Sequence, residues 1–298
     1  MRRGRLSGWL LVLPALVLYG LFVIFPAVDA LRLGFYDWSG FDFAKAKWVG
    51  LGNFRELAGD RSFLGALANN AILQFAGGAI AFPLAVAFAV GLGALPGPLK
   101  RLGRGVLLFP MAMSAIGVGL LWRYIADSEA GILTAAARGS GAVAPDGAVA
   151  WLGPRFGVWT LTAAYVWTYV GFYAALFRAA MDRIPTELVE AARLDGASET
   201  GILFRVTLPL LREVLLVAAI LWIVGALRAF GVLYAITEGL SADLDIVGTY
   251  VYKVSFSARN ISVLRMGYGC AMGCLLLLLV VAASAPAWIR RAKEGTEY

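Results

Sequence analysis

The sequence predicts an all-α polytopic membrane protein with six transmembrane helices and both termini in the cytoplasm. Three observations carry that prediction. Of 298 residues, 60% are hydrophobic and only 15% charged, against about 45–50% and about 25% in an ordinary soluble domain. The apolar residues are bunched into long blocks, and Lys and Arg gather between alternate blocks. With a mean hydropathy of +0.77, the composition excludes a water-soluble globular chain, a disordered one and a collagen-like one. The absence of histidine removes Ser-His-Asp triads, histidine zinc sites and haem ligation by histidine. Two cysteines exclude a disulfide-framed secreted domain.

A transmembrane helix needs about 20 mostly apolar residues, because the hydrocarbon core is about 30 Å thick. Six stretches meet this, near 8–30, 66–95, 106–126, 157–177, 214–233 and 266–289, and residues 1–298 read as one transmembrane domain. The first follows a basic N-terminus but exceeds the apolar length of a cleavable signal, so it reads as an uncleaved helix. Orientation follows from Arg2, Arg3 and Arg5, from Lys100, Arg101 and Arg104 after the Pro96-Gly97-Pro98 turn, and from Arg290, Arg291 and Lys293. Positive residues mark cytoplasmic connections, so both termini, the second connection and the connection from Arg178 to Glu213 lie inside. The net charge of +7 is then mostly a topology signal rather than a nucleic-acid surface.

The spans are nearly free of ionisable groups. Asp29, Arg32 and Arg123 fall near helix ends, where long side chains reach water. Arg228 alone sits well inside a span, and it admits two readings: snorkelling to the outer face, or lining a polar cavity. No acidic partner shares its helix, which leaves a proton or sodium relay without support. No Gly-Lys pair occurs, so the chain has no P-loop. Cys270 and Cys274 share one face of the last span but do not fill a zinc site, and no metal is expected. Aromatic residues from Trp151 to Tyr169 form an interfacial belt, or, deeper in the fourth span, flat faces for a sugar ring.

The connection between spans four and five, 184–210, differs from the others. Glu187 suits the positive end of a helix starting near Pro185, with Thr186 as a possible N-cap. Leu188, Ala191, Ala192 and Asp195 share one side, and Glu187, Glu190 and Arg193 another. Gly196 supplies the stop. A second run, Ile202 to Leu208, leads through Pro209 into span five. By itself this is either an amphipathic loop on the membrane surface or a helix that sits in a partner's groove.

Glu190-Ala191-Ala192, then Asp195-Gly196-Ala197, then Thr207-Leu208-Pro209 resembles the EAA loop of ABC importer permeases. The resemblance covers essentially the whole chain and points to the carbohydrate-uptake branch, the maltose and glycerol-3-phosphate type. Trp48-Val49-Gly50-Leu51-Gly52-Asn53-Phe54 is similar to that group's outer element, and Pro110, Ser114 and Gly119-Leu120-Leu121-Trp122-Arg123 resemble its third span. The chain departs from the group at Gly239-Leu240-Ser241, where Gly-Gly-Pro is common, and at Gly225-Ala226-Leu227, which lacks the asparagines of the maltose relative.

The resemblance implies a non-enzymatic permease subunit in a bacterial or archaeal plasma membrane, forming half of the pathway for a sugar or sugar-like solute. It implies three partners: a second permease subunit, a cytoplasmic ATPase dimer that carries ATP and Mg, and an extracytoplasmic solute-binding protein. No cofactor is expected on this chain. Residues 186–196 would form the coupling helix, with Glu190 pairing to a basic residue on the ATPase, Ala191 and Ala192 packing, Asp195-Gly196 turning the chain, and Leu208-Pro209 closing the loop. Met111, Ser114, Tyr165, Thr168, Tyr169 and Arg228 are expected along the solute pathway by their place in spans three to five. A self-sufficient secondary carrier and a non-transporting scaffold are the alternatives; the missing buried acid–base pairs weigh against the first and the EAA loop against the second.

Overall fold

The computed structural model describes residues 12–237, 243–256 and 264–294, with side chains described as far as residue 282. The chain is almost entirely helical, as the apolar blocks require: where water is absent, a helix satisfies its backbone groups internally. Helix α1 (Val12–Leu33) carries a π-helical segment at Gly20–Ile24. A short antiparallel pair follows, β1 (Tyr36–Asp37) and β2 (Lys47–Trp48), and then α2 (Gly52–Gly59). The long α3 (Arg61–Ala94) precedes α4 (Gly97–Ala112), α5 (Ala115–Ile125), α6 (Ile132–Gly139) and α7 (Gly157–Met181). The remaining elements are α8 (Thr186–Leu194), α9 (Glu199–Leu210), α10 (Arg212–Leu227), α11 (Phe230–Thr237), α12 (Val247–Phe256) and α13 (Met266–Glu294).

Helices α1 and α3 are long and apolar enough to cross a membrane on their own; with each bent pair counted as one span, four segments pass. The 25-residue α7 has the length, but Thr, Tyr and Trp lower its hydropathy. Two expected runs are broken. The apolar block 106–126 is not one helix: α4 and α5 meet at 97°. Pro110 inside α4 removes a backbone donor, Met113 and Ser114 turn extended, and the Ser114 hydroxyl accepts from the Gly117 N–H to start α5. The block 214–233 also breaks, with Arg228 at the C-cap of α10 and α11 resuming at Phe230. Gly8 and the N-terminal arginines lie outside the described residues.

The chain forms two compact units, Met1–Leu64 with Tyr250–Leu279, and Gly65–Thr249 with Val280–Tyr298. In the first, the Asn53 amide donates to the carbonyls of Gly34 and Tyr36, tying α2 to the strand pair. Asp60 is the hub of this unit. Its carboxylate accepts from the hydroxyls of Tyr250 (2.8 Å) and Tyr268 (2.7 Å) and from the N–H groups of Ser62 and Phe63. Burial alone would raise the Asp60 carboxyl, but these four hydrogen bonds outweigh it and hold it below its ordinary value. Nearby, Glu56 takes both arms of Arg265 at 2.6 and 2.7 Å, which also lowers the Glu56 carboxyl.

The second unit is organised around α7. Its buried face includes Leu161, Ala164, Tyr165, Thr168, Gly171, Ala174 and Phe177. The matching stripe on α3, Leu73, Ala81, Ala85 and Ala89, is also buried and small, as close helix packing in a membrane favours. Gly171 is where α4 and α7 approach most closely, since a Cβ there would overlap the Leu107 carbonyl. On α3, Asn70 donates to the Ala226 carbonyl (3.3 Å) and accepts from the Val247 N–H (2.8 Å), and Asn69 donates to the carbonyls of Asp243 and Asp245.

Gly171→Val is expected to destabilise the purified protein by about 1–3 kcal/mol or more, because a backbone atom cannot yield to the added methyls. Gly91→Ala, with open space around its Cα, is expected to be neutral or stabilising by about 0.5–1 kcal/mol. Thermal melting in detergent ranks the two. The lowered carboxyls of Asp60 and Glu56 stabilise the fold above their ordinary titration range, and that contribution disappears as pH falls through their depressed values. Melting temperature should therefore drop on acidification below about pH 4, and Asp60→Asn should flatten the dependence; a wild-type and variant with the same acid slope would refute this role.

Candidate functional site: the loop between α7 and α10

At the C-terminal end of α7, Arg178 pairs with Asp182 one turn on, and Asp182 also faces Arg104 of α4 at 3.7 Å. The hydrogen bond from Arg178, with the nearby cations, keeps the Asp182 carboxyl below its ordinary value although partial burial opposes this. Arg178 fits because Gly93 of α3 has no side chain: a Cβ there would overlap the guanidinium. The i, i+4 spacing of Arg178 and Asp182 was visible in the sequence, but the recess at Gly93 was not.

Helix α8 begins at Thr186 with Pro185, rather than Thr186, at the N-cap, and no side chain caps it. Pro185 is suited to that position because it has no N–H to satisfy and holds the chain extended into the first turn. The helix ends in a Schellman turn. Ala197 N–H reaches back to the Ala192 carbonyl and Gly196 N–H to the Arg193 carbonyl, both at 3.0 Å, and Gly196 sits at φ +82°. Only glycine takes that conformation without strain. Ser198 then caps α9 by accepting from Gly201 N–H. Beyond a π-helical stretch at Leu203–Thr207, Leu208 and Pro209 close α9, and the chain bends 72° at Leu211 into α10.

Beneath the loop lies a cavity of about 510 Å³. From α8 it is lined by Thr186, Val189, Glu190 and Arg193. The inner face of the helix is therefore 186, 189, 190 and 193, while Leu188, Ala191 and Asp195 turn outward and Ala192 is half-buried. No residue of α8 is fully buried, and Leu188, Leu194 and Phe204 are exposed at 46%, 89% and 66%. Arg193 is held by Glu199 across the turn at 2.9 and 3.3 Å. Among the described residues, the Glu190 carboxylate has no hydrogen bond or ion pair. The loop thus turns Leu188, Ala191 and Asp195 outward, and Glu187 and Asp195, like Glu190, have no hydrogen bond or ion pair among the described residues.

The expected pathway residues divide. Tyr165 and Tyr169 lie together, ring centroids 4.6 Å apart, with Trp222 of α10 5.2 Å from Tyr165. Thr168 is buried, and its hydroxyl is already bonded to the Ala164 carbonyl. Met111 is exposed, Ser114 caps α5, and Arg228 is exposed at the end of α10. No hydrogen bond, ion pair or ring contact among the described residues joins these last three to the tyrosines. The structure adds Tyr173, which extends the stripe 165, 169, 173 and also packs on Trp222 at 5.8 Å. The Trp222 indole donates to the Gln74 carbonyl (2.9 Å) over Gly77 and Gly78. Tyr165 and Tyr169 were expected from their place in the fourth span; the spacing of four that adds Tyr173 is a signal the sequence carried, whereas the tryptophan partner came from a distant helix and had no local signal.

A family model described as binding-protein-dependent transport system inner membrane component matches residues 81–291. The diacetylchitobiose uptake system permease protein NgcF of Streptomyces coelicolor is 33% identical, with 91% of this chain and 78% of that one covered. The osmoprotective compounds uptake permease protein GgtC of Synechocystis is 28% identical over 91% of this chain and 93% of its own. In fold, the chain is similar to a subunit of a solved bacterial ABC transporter involved in import of the acidic polysaccharide alginate. That match has a TM-score of 0.79 at 19% identity, covering 97% of this chain and 96% of that one. The chain therefore belongs to the inner-membrane component family of binding-protein-dependent transport systems, as a permease subunit of an ABC importer.

Proposed function

We propose that this permease forms half of a translocation pathway for a sugar or sugar-like solute, with α8 as the coupling helix to a separate cytoplasmic ATPase. The observation that carries the reading is the exposed α8, closed by a Gly196 Schellman turn, with Leu188 and Ala191 turned outward and the exposed Glu190 carboxylate without a hydrogen bond or ion pair among the described residues. A helix so presented suits a groove on a partner bearing a basic group. ATP and Mg act on that partner, and α8 passes its displacement through α9 into α10.

In this reading the chain crosses the bacterial or archaeal plasma membrane six times, with both termini and the 184–210 loop cytoplasmic. The bent pair α4–α5 contributes one span, α10 with α11 another, and α1, α3, α7 and α13 the others. A second permease subunit completes the pathway about a pseudo-twofold axis. A solute-binding protein delivers the solute from outside; the alginate transporter's solved complex with a periplasmic protein supports that arrangement. The solute class rests on relatives named for diacetylchitobiose and alginate. Tyr165 and Tyr169 would pack on the apolar face of a ring, with Met111, Ser114, Thr168 and Arg228 as further candidates along the route.

Glu190→Lys and Gly196→Asp are each expected to lower ATP-driven uptake in proteoliposomes of the whole importer by about tenfold or more, the worth of one lost charge-assisted hydrogen bond. Both should still insert and pair with the second permease subunit. Uptake at the wild-type rate in both variants, or gradient-driven uptake by this chain alone, would rule the reading out. Calorimetry of the cognate binding protein against diacetylchitobiose, monosaccharides and polyols tests the solute class; affinity for none of them would remove the sugar assignment.

A further inference from the structure

Both arginines that line the cavity under the coupling loop are already held by acids, Arg178 by Asp182 and Arg193 by Glu199. The third acid on the α8 wall, Glu190, has no partner among the described residues. This is not what local helix physics favours. Glu190 and Arg193 stand at i and i+3 on the same inner face, the spacing at which opposite charges meet on a helix surface. Arg193 instead reaches forward over the Gly196 turn, donating through Nε at 2.9 Å and through a terminal nitrogen at 3.3 Å to the two oxygens of Glu199. A two-armed grip of this kind fixes the plane of a guanidinium as well as its position.

The turn itself does not need the pair. Its two backbone hydrogen bonds and the positive φ of Gly196 close it, and nothing lies within 4 Å of the Gly196 Cβ position. Ser198 caps α9 independently. The two side chains are also 55% and 75% exposed, so their contribution to stability is small. What the pair decides is where the Arg193 charge sits.

We infer that Glu199 is a positioning residue of the coupling loop, whose work is to draw Arg193 away from Glu190 and leave that carboxylate free for a basic group on the ATPase. The inference rests on the coupling reading of α8. Arg193 responds to both acids, its protonated form favoured first by the hydrogen bond to Glu199 and least by Glu190, and Glu190 stands one helical turn before it on the same face, within reach once Glu199 is removed. A buried partner is not required for the effect, only competition between two acids for one cation.

The test is the binding of the ATPase subunit to the assembled permease pair in nanodiscs at fixed low salt. Glu199→Ala should weaken binding about two- to fivefold, the range one exposed ion pair supplies. Arg193→Ala, which cannot neutralise Glu190, should bind as the wild type does. The double variant should also bind as the wild type, because removal of the arginine relieves the loss of Glu199. A purely structural pair would give equal losses in the two single variants and no relief in the double one, and that pattern overturns the inference. So does a Glu199→Ala variant that binds normally. If the wild-type pair binds no ATPase, or binds it no better than Glu190→Lys, the coupling reading itself fails and takes this inference with it.

Discussion

Inside a membrane every interruption of a helix leaves backbone groups that water cannot satisfy, and the architecture of this permease follows from how those groups are partnered. At the junction of α4 and α5 the loose end is met locally, by the Ser114 hydroxyl on the Gly117 N–H. At the end of α10 the Ala226 carbonyl is met from another helix, by the Asn70 amide, whose oxygen takes the Val247 N–H. Asn70 on α3 therefore has a purpose that hydropathy does not register: it partners a carbonyl left where α10 stops, while Asn69 beside it holds the carbonyls of Asp243 and Asp245. Small residues then allow the resulting short helices to close on one another. A Cβ on Gly119 would overlap Ala235, so α5 and α11 pack almost backbone to backbone.

The same economy shapes the loop between α7 and α10. Arg178 occupies the space that Gly93 leaves, and its charge is matched by Asp182 at the end of its own helix. A short helix is thereby set over a cavity of mixed polar and apolar lining rather than on a packed core. It keeps its own ends in order through Pro185 and the Gly196 turn, and needs little from its neighbours. Its fold is local, and its outer surface is left exposed.

Much of this was legible in the residues. The apolar blocks announced the helices, Gly196 announced the end of α8, and Glu190-Ala191-Ala192 with Leu208-Pro209 pointed to the family before any coordinates. Periodicity was less informative where a run was uniformly apolar. Nothing in 106–126 marks the sharp bend to a hydropathy average, nor in 214–233 the break after α10, since Ser114 and Arg228 act through geometry rather than through polarity summed over a window. Of the expected group Glu187, Glu190 and Arg193, the last two line the cavity together with Thr186 and Val189, and Glu187 does not.

The sequence by itself determined that this chain lives in a membrane, that it is helical, that it performs no histidine or P-loop chemistry, and that the connection 184–210 carries a short helix stopped at a glycine. These depend on composition and on contacts within a few residues, which a linear string encodes directly. Only the tertiary structure decided which helices break, that Asn70 supports the end of α10, that Trp222 lies on the Tyr165–Tyr173 stripe, and that Arg193 turns to Glu199 and leaves Glu190 alone. Each of those depends on atoms from separate turns or separate helices meeting within about 3 to 6 Å, the reach of hydrogen bonds and ring contacts, and sequence spacing alone does not say which of several possible partners arrives.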